Sequence, residues 1–363
     1  MPAFRHENHI KNDLDYAHVQ KFLLTSFRLG GLILKEKIAY CILAHNDCKH
    51  FGRLVRMLND KADFYVHIDK KTSQSPFQSE VSQLSNVHFS KERYPVFWAG
   101  FNVIKATIAL LHLCISSGKQ YKKIVLLSGS DYPLVSNAEI HAFFDKHPDI
   151  EFIRASNVSK SHSKHHLNHI QRYFLRDWNI RNKLVYKVVM KMVEMIHGFL
   201  PFQKKPFIEM NRKKFDIYMG SQWWALSQEC VVDLLTWIEE YPGIDRYFKH
   251  SFAPDEKYFH TLIYNSPYRN KTELGDEEPF RTEEYKWPIW PNIHHIHPSL
   301  QKWYTADDAD EVLSSDKLFV RKVNSSVSST LLNRIDSRIK LSEKRVMKAI
   351  TSIWSCSHDS QKA

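Results

Sequence analysis

Two carboxylates, Asp255 and Glu256, stand directly behind Pro254 and ahead of an apolar run over residues 258–264. Proline suits the first turn of a helix, and the helix dipole favours acidic residues there. A carboxylate fixed on such a rigid element beside a cleft can take a proton from a substrate hydroxyl as a general base. Ordinary helix capping explains the same residues, so the choice between the two rests on the rest of the chain.

Other side chains supply the remaining chemistry. Asp69 can accept hydrogen bonds from a ribose or base, and Trp98 can stack on or flank the base. Arg321 and Lys322, in the segment Leu318-Phe-Val-Arg-Lys322, are cations suited to neutralising a leaving diphosphate. Gly220 and Ser221 allow close backbone approach, and Trp223 or Trp224 can wall a sugar site. Asp131 and the Arg172-Tyr173 region are candidates for touching an acceptor or shaping the site. No Gly-x-Gly-x-x-Gly and no Walker loop is present, which removes Rossmann cofactor binding and P-loop chemistry.

Metal sites are not expected. Asp69 is followed by Lys70 and Lys71 rather than by the second acid of an Asp-x-Asp pair. Asp308-Ala-Asp310 has that pattern but reads as the cap of a helix. His162, His165, His166 and His169 lie at helical spacing without an interleaved carboxylate or thiol, which favours a polar, acceptor-facing or solvated face over zinc.

The elements that must position these residues follow from the apolar pattern. Residues 38–44, 63–69 and 123–128 read as buried strands, with a short strand over 87–89. Helical spacing covers 50–58, 102–114 and 138–145. Strands are also expected over 150–154 and 221–227, and helices over 228–240, 254–264 and from 307 to 313. Alternation of strand and helix argues for an α/β domain with a mainly parallel sheet. Ligands of open α/β sheets bind beyond the carboxyl ends of the strands. There the sequence places His45-Asn46-Asp47, Asp69-Lys70-Lys71, Ser128 to Pro133, and Arg154. The organisation expected is an N-terminal appendage over 1–36, a main domain over 37–325, and a basic amphipathic helix within 326–363.

Of the 363 residues, 13% are aromatic, and the net charge is +11. That charge attracts phosphates or anionic lipid, but no basic motif with a nucleic-acid-binding context is present. In the tail, Leu331, Ile335, Ile339, Val346, Ile350 and Trp354 alternate with Arg334, Arg338, Lys340, Lys344, Arg345 and Lys348. Such a helix either lies on an anionic membrane surface or packs on the core with a solvated cationic face. Five irregularly spaced cysteines suggest reduced thiols in a cytosolic compartment. Neither a signal peptide nor a span-length apolar run is read in the sequence.

Taken in order, seven segments resemble the core-2/I-branching β-1,6-N-acetylglucosaminyltransferase family, which includes the peptide O-xylosyltransferases. They begin with Ala39-Tyr-Cys-Ile-Leu-Ala-His-Asn46, Phe64-Tyr-Val-His-Ile-Asp-Lys70 and Val96-Phe-Trp-Ala-Gly-Phe101. Leu126-Leu-Ser-Gly-Ser-Asp-Tyr-Pro-Leu134 and Gly220-Ser-Gln-Trp-Trp-Ala-Leu226 follow. Ser251-Phe-Ala-Pro-Asp-Glu256 and Leu318-Phe-Val-Arg-Lys322 complete the set.

The resemblance implies a GT-A-like fold and an inverting, metal-independent transfer from a UDP-sugar, N-acetylglucosamine by default. It puts the catalytic base on Glu256, the UDP-binding Asp on Asp69, the aromatic near the uridine on Trp98, and a diphosphate contact on Lys322. A second diphosphate-binding Arg of the animal enzymes has no counterpart in the region 295–302, where His297 or Lys302 is the expected replacement. The expected partners are a UDP-sugar donor and a glycan or lipid-linked glycan acceptor in surface polysaccharide synthesis. The expected location is cytoplasmic, at the inner face of the membrane. A xylosyl or other UDP-hexose transferase, a non-catalytic sugar-binding relative, and a Mg²⁺-dependent nucleotidyl- or phosphotransferase are the alternatives.

Overall fold

The structure, a computed structural model, describes residues 36–177, 203–279 and 292–359 and parts of 184–195, with side chains up to residue 344. The N-terminal appendage lies outside the described residues.

The chain begins with β1 (Lys37–Ala44), α1 (Cys48–Met57), β2 (Ala62–Ile68), α2 (Ser75–Glu80), β3 (Val87–Phe89) and α3 (Asn102–Ile115). β4 (Tyr121–Ser128), β5 (Asp131–Pro133), α4 (Asn137–Lys146), β6 (Ala155–Asn157) and α5 (Lys164–Gln171) follow. The second half contains β7 (Phe207–Met210), β8 (Lys213–Asp216), β9 (Tyr218–Gly220), β10 (Ala225–Leu226), α6 (Gln228–Glu240), α7 (Pro242–Phe248) and α8 (Tyr258–Tyr264). It closes with β11 (His294–Ile296), α9 (Ala309–Leu313), β12 (Phe319–Arg321) and α10 (Ser329–Asp359).

The main sheet has the order β10-β4-β1-β2-β3, parallel except for β10, which runs antiparallel to β4. β1, β2 and β4 read as unbroken apolar runs because both sheet faces are covered. On one face Ile38, Tyr40 and Ile42 pack with Phe51 and Leu54 of α1 and with Leu331 and Ile335 of α10. On the other, α3 packs on β1 and β2, and α6 on β4. Leu43 lies opposite both His67 and Ser128. The register therefore brings the carboxyl ends of β1, β2 and β4 to one edge, as the α/β reading required.

A second small sheet supplies the cations. β12 pairs parallel to β11 and antiparallel to β5, with Arg321 opposite Asp131. The connection from β12 to α10 is tied back to the first strand's end. Asp47, which caps α1 by accepting from His50 N, also accepts from the backbone N (2.7 Å) and Oγ (2.8 Å) of Ser325.

Several expected elements differ. Residues 150–154 form isolated bridges, Glu151 to Thr272 and Phe152 to Ala225, instead of a strand. The strand expected over 221–227 shortens to β10. The expected 254–264 helix is a 3₁₀ turn, Pro254–Glu256, followed by α8, with the break at Lys257 (φ −134°). Asp308 does cap a turn, accepting from Thr305 N at 2.8 Å while pairing with Lys302 at 2.5 Å. In α10, Leu331, Ile335 and Ile339 are buried against the core. That stretch of the apolar stripe therefore faces the protein and not a membrane, because the seam it fills is part of the main core. Val346, Ile350 and Trp354 have side chains outside the described residues.

Candidate active site

A cavity of about 640 Å³ opens beside the 3₁₀ turn. Glu256 and Asp255 line it from one side, and Arg321, Lys322 and Trp223 from another. Trp98, Ala99, His169 and Phe252 form a further wall, and the loop from Pro298 to Gln301 completes it. Segments far apart in sequence thus meet around one space.

The turn that carries Glu256 is held in an uncommon backbone state. Ala253 (φ 43°) and Ala99 (φ 59°) both occupy the left-handed region, at a cost of roughly 1–2 kcal/mol each. They are joined by a hydrogen bond from Ala253 N to Ala99 O of 3.3 Å. Such outliers concentrate where geometry matters for function. A Cβ on the neighbouring Gly100 would press on the Asp177 carboxylate and force it to shift. That carboxylate accepts from Phe101 N (2.6 Å) and Asn102 N (3.1 Å) at the start of α3. At the cavity's opposite lip, a Cβ on Gly220 would lie 1.8 Å from the Arg154 carbonyl oxygen and 2.8 Å from the His260 ring. Close backbone approach there is therefore obligatory.

Glu256 is enclosed by protein but open to the cavity. Burial and the adjacent Asp255 charge push its carboxyl up to about 7, against the pull of Lys257. Burial likewise raises Asp255, and its Oδ1 is sealed from solvent without a hydrogen-bond partner. Beneath them Lys257 is fully buried, its Nζ donating to the carbonyls of Phe252 (3.0 Å) and Ala253 (3.1 Å). A carboxyl that titrates near neutrality beside a cavity suits a general base.

The cationic side is built differently. Asp131 is fully buried and accepts from Ser128 N (2.7 Å), Ser128 Oγ (2.8 Å) and Arg321 Nη1 (2.8 Å). His294 Nε2 lies 3.3 Å from its other oxygen. Burial alone would raise this carboxyl, but Arg321 and His294 outweigh it and hold it far below the usual range. Arg321 also donates to Ser128 Oγ and lies over the Trp223 ring, 4.2 Å from its centroid. Lys322 is held below its usual range by burial and by Arg321. Among the described residues, no carboxylate lies within ion-pair distance of Lys322.

Asp69 stands at the end of β2, outside the cavity lining. Its carboxylate accepts from Lys71 N (2.8 Å) and pairs with Lys71 Nζ (3.0 Å). Lys71 in turn lies over the Phe97 ring at 4.1 Å, next to Trp98. His45 links this edge to the cations. Burial holds the ring below its usual range, Asp69 pulls it up, and Lys71, Arg321 and Lys322 push it down.

Other expected residues, like Asp69, do not line the cavity. Asp131 is too deeply buried to meet an acceptor, and its role is to hold Arg321. Trp224 has no exposed surface and packs on Phe259, so Trp223 alone of the pair lines the cavity. Arg172 terminates α5 outside the lining. His297 is also outside it, with Nδ1 occupied in a turn by Ser299 N (3.1 Å) and Oγ (2.9 Å). The expected substitute Lys302 is committed to Asp308.

Conversely, Phe252 and the 298–301 loop line the cavity without having been singled out, and His169 lines it too. His169 belongs to the histidine cluster. Burial, Lys257 and the neighbouring histidines push it down to about 3, so it meets the cavity as a neutral ring. Among the described residues no three His, Cys, Asp or Glu side chains group as a metal set.

The profile of the Core-2/I-Branching enzyme family matches residues 38–307. The chain belongs to this family. It is 22% identical over 270 residues to human N-acetyllactosaminide β-1,6-N-acetylglucosaminyl-transferase, covering 70% of this chain and 60% of that protein. It is 22% identical over 347 residues to rat xylosyltransferase 2, covering 89% of this chain and 36% of the relative. A match to human xylosyltransferase 1 at 22% identity covers 64% of this chain and 22% of the relative. The chain thus spans 60% or less of the length of these relatives. The resemblance drawn from the seven segments is confirmed, as is the α/β fold with a predominantly parallel sheet.

Proposed function

We propose that the protein is an inverting glycosyltransferase that moves a sugar, by default N-acetylglucosamine, from a UDP-sugar to a glycan hydroxyl. The observation that carries this reading is that Glu256, with its raised pKa, shares one cavity with Arg321 and Lys322. Glu256 takes the proton of the acceptor hydroxyl. The hydroxyl oxygen bonds to the anomeric carbon as that carbon's bond to the diphosphate oxygen breaks, and UDP leaves with the electron pair. Attack from the face opposite the leaving group turns an α-linked donor into a β-linked product. Lys322, with no carboxylate within ion-pair distance among the described residues, and Arg321 take up the charge developing on the diphosphate, the part a divalent ion plays elsewhere. Asp69 and Trp98 are the proposed uridine contacts, and Asp255 and Trp223 shape the sugar site. Membership of the family supports the activity; the geometry supports the roles.

The reaction belongs, in this reading, to surface polysaccharide or glycoconjugate synthesis at the inner face of a membrane, with a glycan or lipid-linked glycan as acceptor. No described helix is long and apolar enough to cross a bilayer. Transfer of xylose is the second reading, favoured by the alignment with rat xylosyltransferase 2 over 89% of this chain. UDP release from a panel of UDP-sugars, with and without EDTA, tests all of this. Release from UDP-N-acetylglucosamine that survives EDTA is expected. Release only from UDP-xylose selects the second reading, and loss in EDTA removes metal independence.

A further inference from the structure

Among the described residues, exposed apolar side chains gather outside the cavity lining, at the helical positions described between 184 and 195. Leu184 is 73% exposed, and Val185, Val188, Met192 and Met195 are each about half exposed (48–57%). Soluble surfaces rarely gather apolar groups this way without a partner. Exposed Lys187 and Lys191 are interleaved with them, and Arg181 and Lys183 precede them, against a single acid, Glu194.

The chain around this helix is fastened to the cavity wall at both ends. Before it, Phe174 N donates to His250 O (2.8 Å), and Asp177 holds the start of α3 next to Trp98–Gly100. After it, Lys204 N donates to Gln171 O (2.9 Å), and Lys204 Nζ reaches Tyr247 O and Ser251 Oγ at 2.9 Å each. His169 and Phe252, which line the cavity, lie in the segments so joined.

We infer that this helix seats the protein on an anionic bilayer, lying in the interface with its apolar side chains inserted. Apolar groups alternating with lysines are the composition of such in-plane helices, in which the lysine stems reach back to the headgroups. A net charge of +11 supplies the long-range attraction. The membrane contact thus moves from the tail helix, whose first turns are packed on the core, to the segment that springs from the Glu256 cavity. Its link to a lipid-linked acceptor rests on the transferase reading; the binding itself does not.

The test is flotation of the full chain with vesicles of phosphatidylcholine alone or mixed with phosphatidylglycerol, without turnover. Binding to the mixed vesicles is expected. It should fall at least about tenfold in the Val188→Asp/Met192→Asp variant, since two inserted apolar groups are lost. UDP binding, measured in parallel, should stay unchanged and report intact folding. Lys187→Glu/Lys191→Glu should abolish the preference for phosphatidylglycerol. The inference is overturned if the wild type binds neither vesicle, or if the Val188/Met192 variant floats like the wild type. It is also overturned if Arg334→Glu/Arg338→Glu alone removes binding, which would return the contact to the tail. A vesicle-free oligomer that this Val188/Met192 variant dissociates would show that a second copy covers the helix.

Discussion

Asp131 and Glu256 are both enclosed carboxyl groups at one cavity, and their environments drive them in opposite directions. Asp131 faces a guanidinium, an imidazole and two Ser128 donors, and is locked as an anion. Glu256 has Asp255 beside it and only the shared Lys257 beneath, and titrates near 7. Burial is common to both; the difference is whether a cation and hydrogen bonds answer it. The first group is a fixture that orients Arg321. The second is free to exchange a proton.

The comparison breaks most sharply at Glu256. Glu256→Gln should lower kcat by about 10³-fold or more, with UDP affinity kept within a few-fold. Near-normal turnover in this variant would remove Glu256 as the base. In the wild type, kcat should rise with pH through about 7 as the carboxyl ionises. Stability should run the other way. Because the folded state holds the Glu256 proton to higher pH than the unfolded chain, stability falls as pH rises from about 4.5 towards 7. Urea titrations across that range check the sign.

Next in size is Lys322→Ala, expected to cost about 10²-fold in kcat/KM with the donor varied. Asp131→Asn should leave Arg321 buried against a neutral partner. It is expected to lose about 3 kcal/mol of stability in urea unfolding and about tenfold in UDP affinity by calorimetry. If Asp131→Asn changed only kcat, with stability intact, Asp131 would be a reacting group rather than a fixture. The smallest effect is assigned to His297→Ala, less than about twofold in UDP affinity. A large loss there would show that the 298–301 loop closes on the donor in a way that frees His297 from Ser299.

Much of this was readable from the chain because its signals are local. Continuous apolar runs marked β1, β2 and β4, and their shared register brings His45, Asp69 and Ser128 to one sheet edge, although none of the three lines the cavity. Pro254 marked the turn that carries Glu256. What could not be read depended on partners distant in sequence. Asp131 reads as a turn residue until β5 is laid against β12. Trp223 and Trp224 are identical neighbours, and only the pairing of β10 with β4 decides which one faces the cavity. Phe252 and the 298–301 loop enter the lining through tertiary packing that leaves no periodicity behind. The exposed helix near residue 188 was hidden by averaging, since its lysines mask its apolar side chains in composition.

One feature bears on how the protein comes into being. Arg321 lies 190 residues beyond the Asp131 carboxylate it neutralises. At a synthesis rate of about 5–20 residues per second, it emerges roughly 10–40 s after its partner. During that interval β1, β2 and β4 are available to form a sheet, while β5 carries a carboxylate that has no reason to be buried. The cationic side of the cavity therefore assembles last, and a chain interrupted in translation before β12 lacks Arg321 and Lys322.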